Sequence, residues 1–368
     1  MATHVLGRKW GDYYVRPVQF LVCYGAVVAC ILLGGQCTKA VYLLVWENGS
    51  MKLYQFVMIF GCVMLIISQI PSFHSLRHIN MISILLCLAY SACATAASIH
   101  IGVSSQKPKD YSLSGRDDDR AFGALNAIAI IATTYGNAII PEIQVLHASP
   151  SKNSVNKSRI FAMQATLAPP VKGKMFKGLC VCYFVLLVTF FSVAVSGYWA
   201  FGNQSAGLIL LNFMDNGNPL VPKWLLLLAN ILTLLQLLAV AVVYLQPTNE
   251  LLERLLSDPK RGEFSIRNAV PRLIARSISV IIAAVLGAML PFFGDINALI
   301  GAFGFIPLDF VLPSVFYNLT FKPSKKGFTY WITSAIAVAF SGVAVAASAA
   351  AVRQIILDAN TYKLFANV

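Results

Sequence analysis

Charged residues are what this sequence has least of. Only 12% of its 368 residues are Asp, Glu, Lys or Arg, whereas soluble globular proteins carry about 25%. In contrast, 58% of the residues are hydrophobic and the mean hydropathy is +0.71. A soluble core of this length could not hide so much apolar surface. We therefore expect a lipid bilayer to be the solvent for much of the chain.

The sequence also lacks the motifs of enzymes and metal sites. It contains no H-E-x-x-H, G-x-S-x-G or P-loop motif, and its five histidines and eight cysteines show no paired metal spacing. We predict a protein that is not an enzyme and binds no metal or cofactor. Cys23, Cys30 and Cys37 recur every seven residues, which predicts one helix face packed against a neighbouring helix.

The net charge of +13 does not indicate a nucleic-acid partner. Its basic residues are scattered singly between apolar runs and form no basic helix or aromatic-interleaved patch. We interpret this charge as a signal of membrane topology instead.

Nine apolar runs are long enough to cross a bilayer of about 30 Å. They cover residues 17–45, 53–70, 80–100, 122–140, 178–199, 224–246, 273–293, 296–318 and 328–352. Each run is apolar on all faces rather than alternating, which predicts helices and not barrel strands. The sequence thus predicts an all-α polytopic membrane protein whose residues 1–368 form a single transmembrane domain.

Basic residues in the loops predict the orientation of these spans. With residues 1–16 in the cytosol, the inner segments hold 19 Lys and Arg residues and the outer segments hold 8, as the positive-inside rule requires. This places the N-terminus in the cytosol and the C-terminus outside. The sequons at Asn48 and Asn203 then fall outside, and we expect glycosylation at Asn203 before Asn48.

The run Ala121–Gln144 reads AFGALNAIAIIATTYGNAIIPEIQ. Gly136 relaxes the backbone, and Pro141 removes a hydrogen-bond donor and frees a carbonyl. Such groups are tolerated in a bilayer where they line a cavity or bind something. The pattern predicts a broken helix with a substrate site, or alternatively a simple kink against a neighbouring helix. The predicted substrate-binding residues here are Thr134, Tyr135, Gly136 and Asn137.

Asp309 stands in the apolar segment GFIPLDFVLP. An acid inside a span is costly unless it is protonated or paired. It is either a proton relay or a structural partner of Arg276 or Lys39.

Two further polar residues are candidates. Glu142 follows the predicted break and is either a gating ion-pair partner or a proton-binding group. Gln236 lies in an apolar run and hydrogen-bonds either a substrate or, as we prefer, a neighbouring helix.

Several long motifs carry a resemblance over nearly the whole chain. They include LGGQCTKAVYLL, QIPSFHSLRHIN, IIATTYGNAIIPEIQ, SGYWAFGNQSAGLIL, VYLQPTNELLE and LPFFGDINALIGAFGFIPLDFVLP. These motifs resemble the plant amino acid/auxin permease family, and within it the γ-aminobutyric acid (GABA) transporter branch. The resemblance implies a LeuT-like fold of about eleven helices, proton-driven uptake of GABA and related amino acids, and a plasma-membrane location.

The sequence departs from that family in two ways. The family has two further helices before the segment that begins here at Trp10, so the resemblance implies a LeuT-like fold without its first two transmembrane helices. We therefore expect little or no uptake by this chain. Residues 145–164 form a polar insert that we expect to be a cytosolic loop. It is either retained intron sequence or a regulatory loop phosphorylated at Ser151 or Ser158.

The leading hypothesis is a proton-coupled symporter of GABA and related neutral amino acids, driven by the proton gradient. Its expected partners are the amino-acid substrate and membrane lipid, without nucleic acid. One alternative is a non-transporting, truncated isoform that regulates the intact transporter. Another is the same family with a different cargo, namely proline, basic amino acids or auxin.

Overall fold

A computed structural model describes residues 6–46, 49–69, 77–104, 108–112, 115–136, 174–215, 218–256, 265–290 and 293–361. These residues are helical almost throughout. The long helices are α1 (Arg16–Val45), α2 (Leu53–Ile67), α3 (Arg77–Ser104), α4 (Asp117–Tyr135), α5 (Lys174–Phe201), α6 (Lys223–Leu256), α7 (Ile266–Met289), α8 (Phe293–Phe321) and α9 (Phe328–Thr361). Two short strands, β1 (Met214–Asp215) and β2 (Asn218–Pro219), pair antiparallel between α5 and α6.

Within the described residues, seven helices are long and apolar enough to cross a membrane. They are Gly11–Val45, Met81–Ser104, Phe176–Gln204, Lys223–Asn249, Ile266–Met289, Phe293–Phe321 and Phe328–Asp358. A helix satisfies its own backbone hydrogen bonds, which is why apolar runs of this length fold as helices in lipid. The first begins with a π-helical turn, Gly11–Val15, and its 35 residues span about 50 Å at 1.5 Å per residue, more than a bilayer core needs.

The two remaining predicted runs are also helical, but neither is both long enough and apolar enough to be counted among these seven. Helix α2 has only 15 residues. Helix α4 has 19 residues, and its first turn carries Asp117, Asp118 and Asp119. Acidic side chains stabilise a helix at this positive end of its dipole. The polytopic all-α class is therefore confirmed, whereas the count of nine spans stays a prediction.

Large apolar side chains point outward along these helices. On α5, Val181 and Phe184 are 64% and 68% exposed, and on α9 Val338 and Val345 are 74% and 73% exposed. A water-soluble protein rarely displays apolar surface on this scale. Lipid is the solvent that suits these faces.

The helices fall into two compact units. Unit A comprises α4, α8, α9 and the start of α1, and unit B comprises the rest of α1 with α2, α3, α5, α6, α7 and the β-hairpin. In unit A, α9 packs on α4 and α8. In unit B, α3 packs on α5 and α6, while α7 packs on α2 and α6.

Aromatic, polar and ionic contacts hold unit A together. Phe310 of α8 and Phe340 of α9 stack with their ring centroids 4.3 Å apart. At the acidic start of α4, Asp119 Oδ1 accepts an ion-pair contact from Arg353 Nη2 at 2.6 Å, and the Arg353 guanidinium lies 4.7 Å from the centre of the Phe122 ring. These contacts fix α4 against α9.

Small residues allow close packing of α1. The predicted packing face of this helix is confirmed, since Cys23 at its start and Cys30 and Cys37 in unit B are 0%, 9% and 1% exposed. A Cβ added at Gly35 of α1 would overlap Val57 Cγ2 on α2 and lie 2.8 Å from the Val57 Cα atom. The two helices therefore approach each other almost backbone to backbone, as membrane helices do at small residues.

We expect Gly35→Val to lower the free energy of unfolding by about 1–3 kcal/mol, because the added side chain overpacks the α1–α2 contact. Thermal unfolding in detergent, followed by fluorescence-detected size-exclusion chromatography, measures this. Gly342→Ala is the matched control, because an added Cβ on this part of α9 meets nothing within 4 Å. A Gly35→Val protein that melts with the wild type would contradict the close approach.

Candidate functional site

The middle of α8 departs from α-helical geometry. Two π-helical segments, Gly301–Phe305 and Pro307–Val311, follow each other and are separated only by Ile306. Pro307 has no backbone N–H and so cannot complete an α-helical hydrogen bond at that point. π-Helical turns inside α-helices occur frequently at functional sites, which directs attention to this part of unit A.

Helix α4 lies directly against the first π-helical segment. A Cβ added at Gly301 would overlap the Ala129 carbonyl oxygen and lie 2.5 Å from Thr133 Oγ1. The Thr133 hydroxyl donates a hydrogen bond to the Asn297 carbonyl oxygen at 2.7 Å, and the Ala129 carbonyl oxygen lies at 3.1 Å. The absence of a side chain at Gly301 thus lets the two backbones touch.

Helix α4 ends where the sequence predicts an interruption. Tyr135 is its last residue, and Gly136 follows with an extended ψ of 147° while its N–H donates to the Ala132 carbonyl oxygen at 2.7 Å. A Cβ at Gly136 would overlap the Phe305 ring and lie 2.6 Å from both the Ala132 carbonyl oxygen and Asp309 Oδ2. Only glycine fits this position without displacing its neighbours.

The end of α4 and Asp309 together form a negatively polarised site. The last carbonyls of a helix lack intrahelical partners and carry the negative end of its dipole. The half-buried Asp309 carboxyl group of the second π-helical segment lies beside that end. Acceptors of this kind suit an ammonium group, a metal cation or a proton, and they repel an anion.

The structure brings several of the predicted site residues together. Thr134, Tyr135 and Gly136 lie at the end of α4, and Asp309 lies beside Gly136. The Thr134 hydroxyl donates to the Ile130 carbonyl oxygen at 2.9 Å. The candidates Asn137, Glu142 and Asn48, like the insert 145–164, lie outside the described residues.

Gln236 belongs to α6 in unit B. Its Oε1 accepts a hydrogen bond from the Ser83 hydroxyl of α3 at 2.9 Å. This is the helix contact that the sequence favours for Gln236. Arg276 of α7 is 2% exposed and donates through Nη1 to the Ser68 carbonyl oxygen at 3.1 Å, just beyond the end of α2.

Asn203 braces a loop of unit B. Its Nδ2 donates to the Ser112 carbonyl oxygen at 2.7 Å, and its Oδ1 accepts from the Tyr198 hydroxyl at 3.0 Å. The side chain is exposed, as a glycosylation site requires. An N-linked glycan would leave one N–H on this nitrogen, so the contact with Ser112 does not exclude glycosylation.

Sequence reasoning missed Gly301, Phe305 and the role of Thr133. The sequence signal for Gly301 and Phe305 is the pair Gly301 and Gly304 just before Pro307. This pair indicates an irregular helix that a neighbouring helix can approach closely. No local signal links Thr133 to Asn297, because the two residues are 164 positions apart. Among the described residues, no group of three or more His, Cys, Asp or Glu side chains could hold a metal ion.

Comparison with known proteins gives consistent matches. The family model described as transmembrane amino acid transporter protein matches residues 1–167 and 157–357. GABA transporter 1 of Arabidopsis thaliana is 59% identical over 371 residues, covering 100% of this chain and 78% of that protein. The Arabidopsis thaliana lysine histidine transporter-like 6 is 28% identical over 369 residues, covering 100% of this chain and 78% of that protein.

A related protein, lysine histidine transporter-like 1 of the same plant, is 26% identical over 367 residues, covering 99% of this chain and 75% of that protein. No solved structure matches the chain. The family match over most of the chain agrees with the membrane-spanning helices and with transport rather than enzyme activity. The chain belongs to the transmembrane amino acid transporter family.

Proposed function

We propose that this protein is a proton-coupled symporter of GABA and related neutral amino acids in the plasma membrane. The observation that carries the proposal is the contact of Asp309 with the glycine end of α4 inside unit A. The 59% identity to a protein named GABA transporter 1 supports the choice of substrate. Asp309 is an ionisable group within a candidate span, which is the usual position of a proton-binding residue in a transporter.

The geometry suggests how the residues of unit A divide the work. The last carbonyls of α4, at the negative end of its dipole, receive the substrate ammonium group, as the C-terminal ends of interrupted helices bind cations in transporters. Asp309 takes up the proton and, when ionised, attracts the same ammonium group. The π-helical segments interrupt the regular α-helix of α8, as is frequent at functional sites, and we assign to them the part of α8 that moves during alternating access.

The proposal includes the expected topology. A LeuT-like arrangement with nine spans would add α2 and α4 to the seven apolar helices. The bias of loop Lys and Arg residues supports a cytosolic N-terminus and an external C-terminus. The insert 145–164 would then be a cytosolic loop within a single transport domain.

Uptake of radiolabelled GABA into yeast lacking its own GABA transport tests the function. The chain should be compared with a chimera that also carries the unmatched remainder of the Arabidopsis GABA transporter 1. We expect the chimera, which is also the background for the variants below, to accumulate GABA at acidic outside pH, to accumulate less at neutral pH, and to lose accumulation with a protonophore. If neither the chain nor the chimera accumulates GABA while both reach the cell surface, the proposal is wrong.

Gly136→Ala should lower GABA uptake by about tenfold or more, because the added Cβ collides with groups that line the site and misplaces the end of α4. Uptake normalised to surface protein measures the effect. Gly123→Ala on the same helix is the control, because its added Cβ meets nothing within 4 Å. Equal losses in both variants would show a general helix effect and contradict the site.

Asp309→Asn should abolish uphill accumulation of GABA but leave exchange of internal for external GABA. The amide resembles the protonated carboxyl group in shape but cannot release a proton. The two activities are measured as net uptake against a gradient and as counterflow in vesicles. Asp118→Asn is the control, because its side chain is 76% exposed at the start of α4. Accumulation by Asp309→Asn with unchanged pH dependence would rule out Asp309 as the coupling group.

Ser205→Ala and Asn203→Gln should both remove a glycan from the sequon Asn203–Ser205. Each untreated variant should then migrate on a gel like the wild type after enzymatic deglycosylation. Only Asn203→Gln also removes the hydrogen bonds to Ser112 and Tyr198, each worth about 1 kcal/mol. Asn203→Gln should therefore melt at a lower temperature than Ser205→Ala. A wild type without any mobility shift would contradict the glycosylation and the external position of this loop.

A further inference from the structure

Unit B contains a cavity of about 390 Å³, within the roughly 300–1,000 Å³ of small-molecule sites. It lies at the C-terminal ends of α3 and α5, between the loop 108–112 and the β-hairpin. Its lining includes a cation, Lys109, and an anion, Asp215, together with apolar side chains such as Phe201 and Leu220. Both charges are half-buried, so water screens them less than it screens exposed charges.

The Lys109 ammonium group is held in a fixed place. Its Nζ donates a hydrogen bond to the Gly102 carbonyl oxygen at 2.7 Å and lies 4.6 Å from the centre of the Trp199 ring. A lysine ammonium group has three donors. The bond to Gly102 therefore leaves further donors for the carboxylate of a solute, and such charge-assisted bonds are the strong ones.

The loop that carries Lys109 is tied to the end of α5. The Tyr111 hydroxyl donates to the Trp199 carbonyl oxygen at 2.7 Å, and the Asn203 backbone N–H donates to the Asp110 carbonyl oxygen at 2.8 Å. Gly202 has a positive φ of 58°, and a Cβ there would overlap the same Asp110 oxygen. These ties pre-organise the cation, which reduces the entropy that a ligand must overcome.

A side-chain hydrogen bond of Asp110 adds to these ties. The backbone N–H of Ser112 donates to Asp110 Oδ1 at 2.8 Å, and this bond holds the pKa of the Asp110 carboxyl group below its ordinary value. The ionised form of Asp110 thus favours the turn that follows Lys109.

The cavity lining also includes Asp215 on strand β1, which pairs with Asn218 on β2. Asn212 braces this part of the lining, since its Nδ2 donates to the Gln204 carbonyl oxygen at 2.9 Å and its Oδ1 accepts from the Ala206 N–H at 2.7 Å. A carboxylate offers about four lone-pair sites. Asp215 can thus accept a solute ammonium group in addition to the contacts it already makes.

We propose that this cavity is an entry site that captures a zwitterionic amino acid before transport. Lys109 binds the carboxylate, Asp215 binds the ammonium group, and the apolar lining covers the carbon chain between them. A site with one charge of each sign favours solutes that carry both. The inference rests on the proposed function for the solute and for the outward position of the cavity.

Thiol labelling of the full chain in intact cells tests this proposal. Ser104→Cys places a thiol on the cavity lining, and an impermeant maleimide should label it from outside, above the labelling of the eight native cysteines. GABA should slow this labelling. Butyrate and butylamine, which have the same carbon chain but one charge each, should protect much less. Lys52→Cys, on an exposed loop outside the cavity, should be labelled without protection by GABA.

Charge variants in the Ser104→Cys background assign the two ends. Lys109→Gln and Asp215→Asn should each raise the GABA concentration for half-protection by about tenfold or more, while Lys109→Arg retains most of the protection. Lys52→Gln is the matched control and should change nothing. Labelling without GABA should stay the same in every variant, which shows that the cavity is folded.

The outcomes separate this proposal from the proposed function. Protection by GABA without any uptake would leave the entry site standing and remove the transport activity. Uptake of GABA without protection would overturn the entry site. Equal protection by butyrate and GABA would show a simple anion site and overturn the role of Asp215. Labelling of Ser104→Cys only after permeabilisation would overturn the outward position.

Discussion

The contact between the backbones of α4 and α8 is the constraint on which the candidate site depends. It exists because Gly301 has no side chain, so that the Ala129 carbonyl and the Thr133 hydroxyl can lie against α8. This contact brings the end of α4 to the second π-helical segment and thus places Gly136 beside Asp309. A larger residue at position 301 would separate the two helices and move the end of α4 away from the Asp309 carboxyl group.

The membrane class and most of the helices could be predicted from the sequence. Lipid leaves an apolar run of about 20 residues no alternative to a helix, so α1, α5 and α9 follow from run length alone. Helix α2 does not follow from run length in this way, since it ends at Ile67 after 15 residues. A run of apolar residues does not reveal where a helix stops, because hydropathy carries no information on capping or on the packing of neighbours.

The candidate site was predicted in pieces and not as a unit. Gly136 and Asp309 stand out singly, because a flexible backbone and an acid are both costly inside an apolar run. Their meeting depends on packing between residues far apart in the chain, such as Thr133 and Asn297, and no local pattern records it. Gln236 is the opposite case. It also stands out as a polar residue in an apolar run, but its side chain accepts a hydrogen bond from Ser83 of the neighbouring helix α3.

The chemistry of the α4 end bears on which cargo the protein selects. The carbonyls at the negative end of a helix dipole and a carboxyl group are acceptors, so they favour a solute with a protonated nitrogen and disfavour one that is only an anion. Auxin is a carboxylate without an amine, and it gains nothing from such a site. Proline, basic amino acids and GABA all carry a cationic nitrogen that this end can receive. The acceptor character of the site therefore argues against an auxin carrier more strongly than it separates one amino acid from another, and the separation among amino acids must come from the groups that bind the carboxylate.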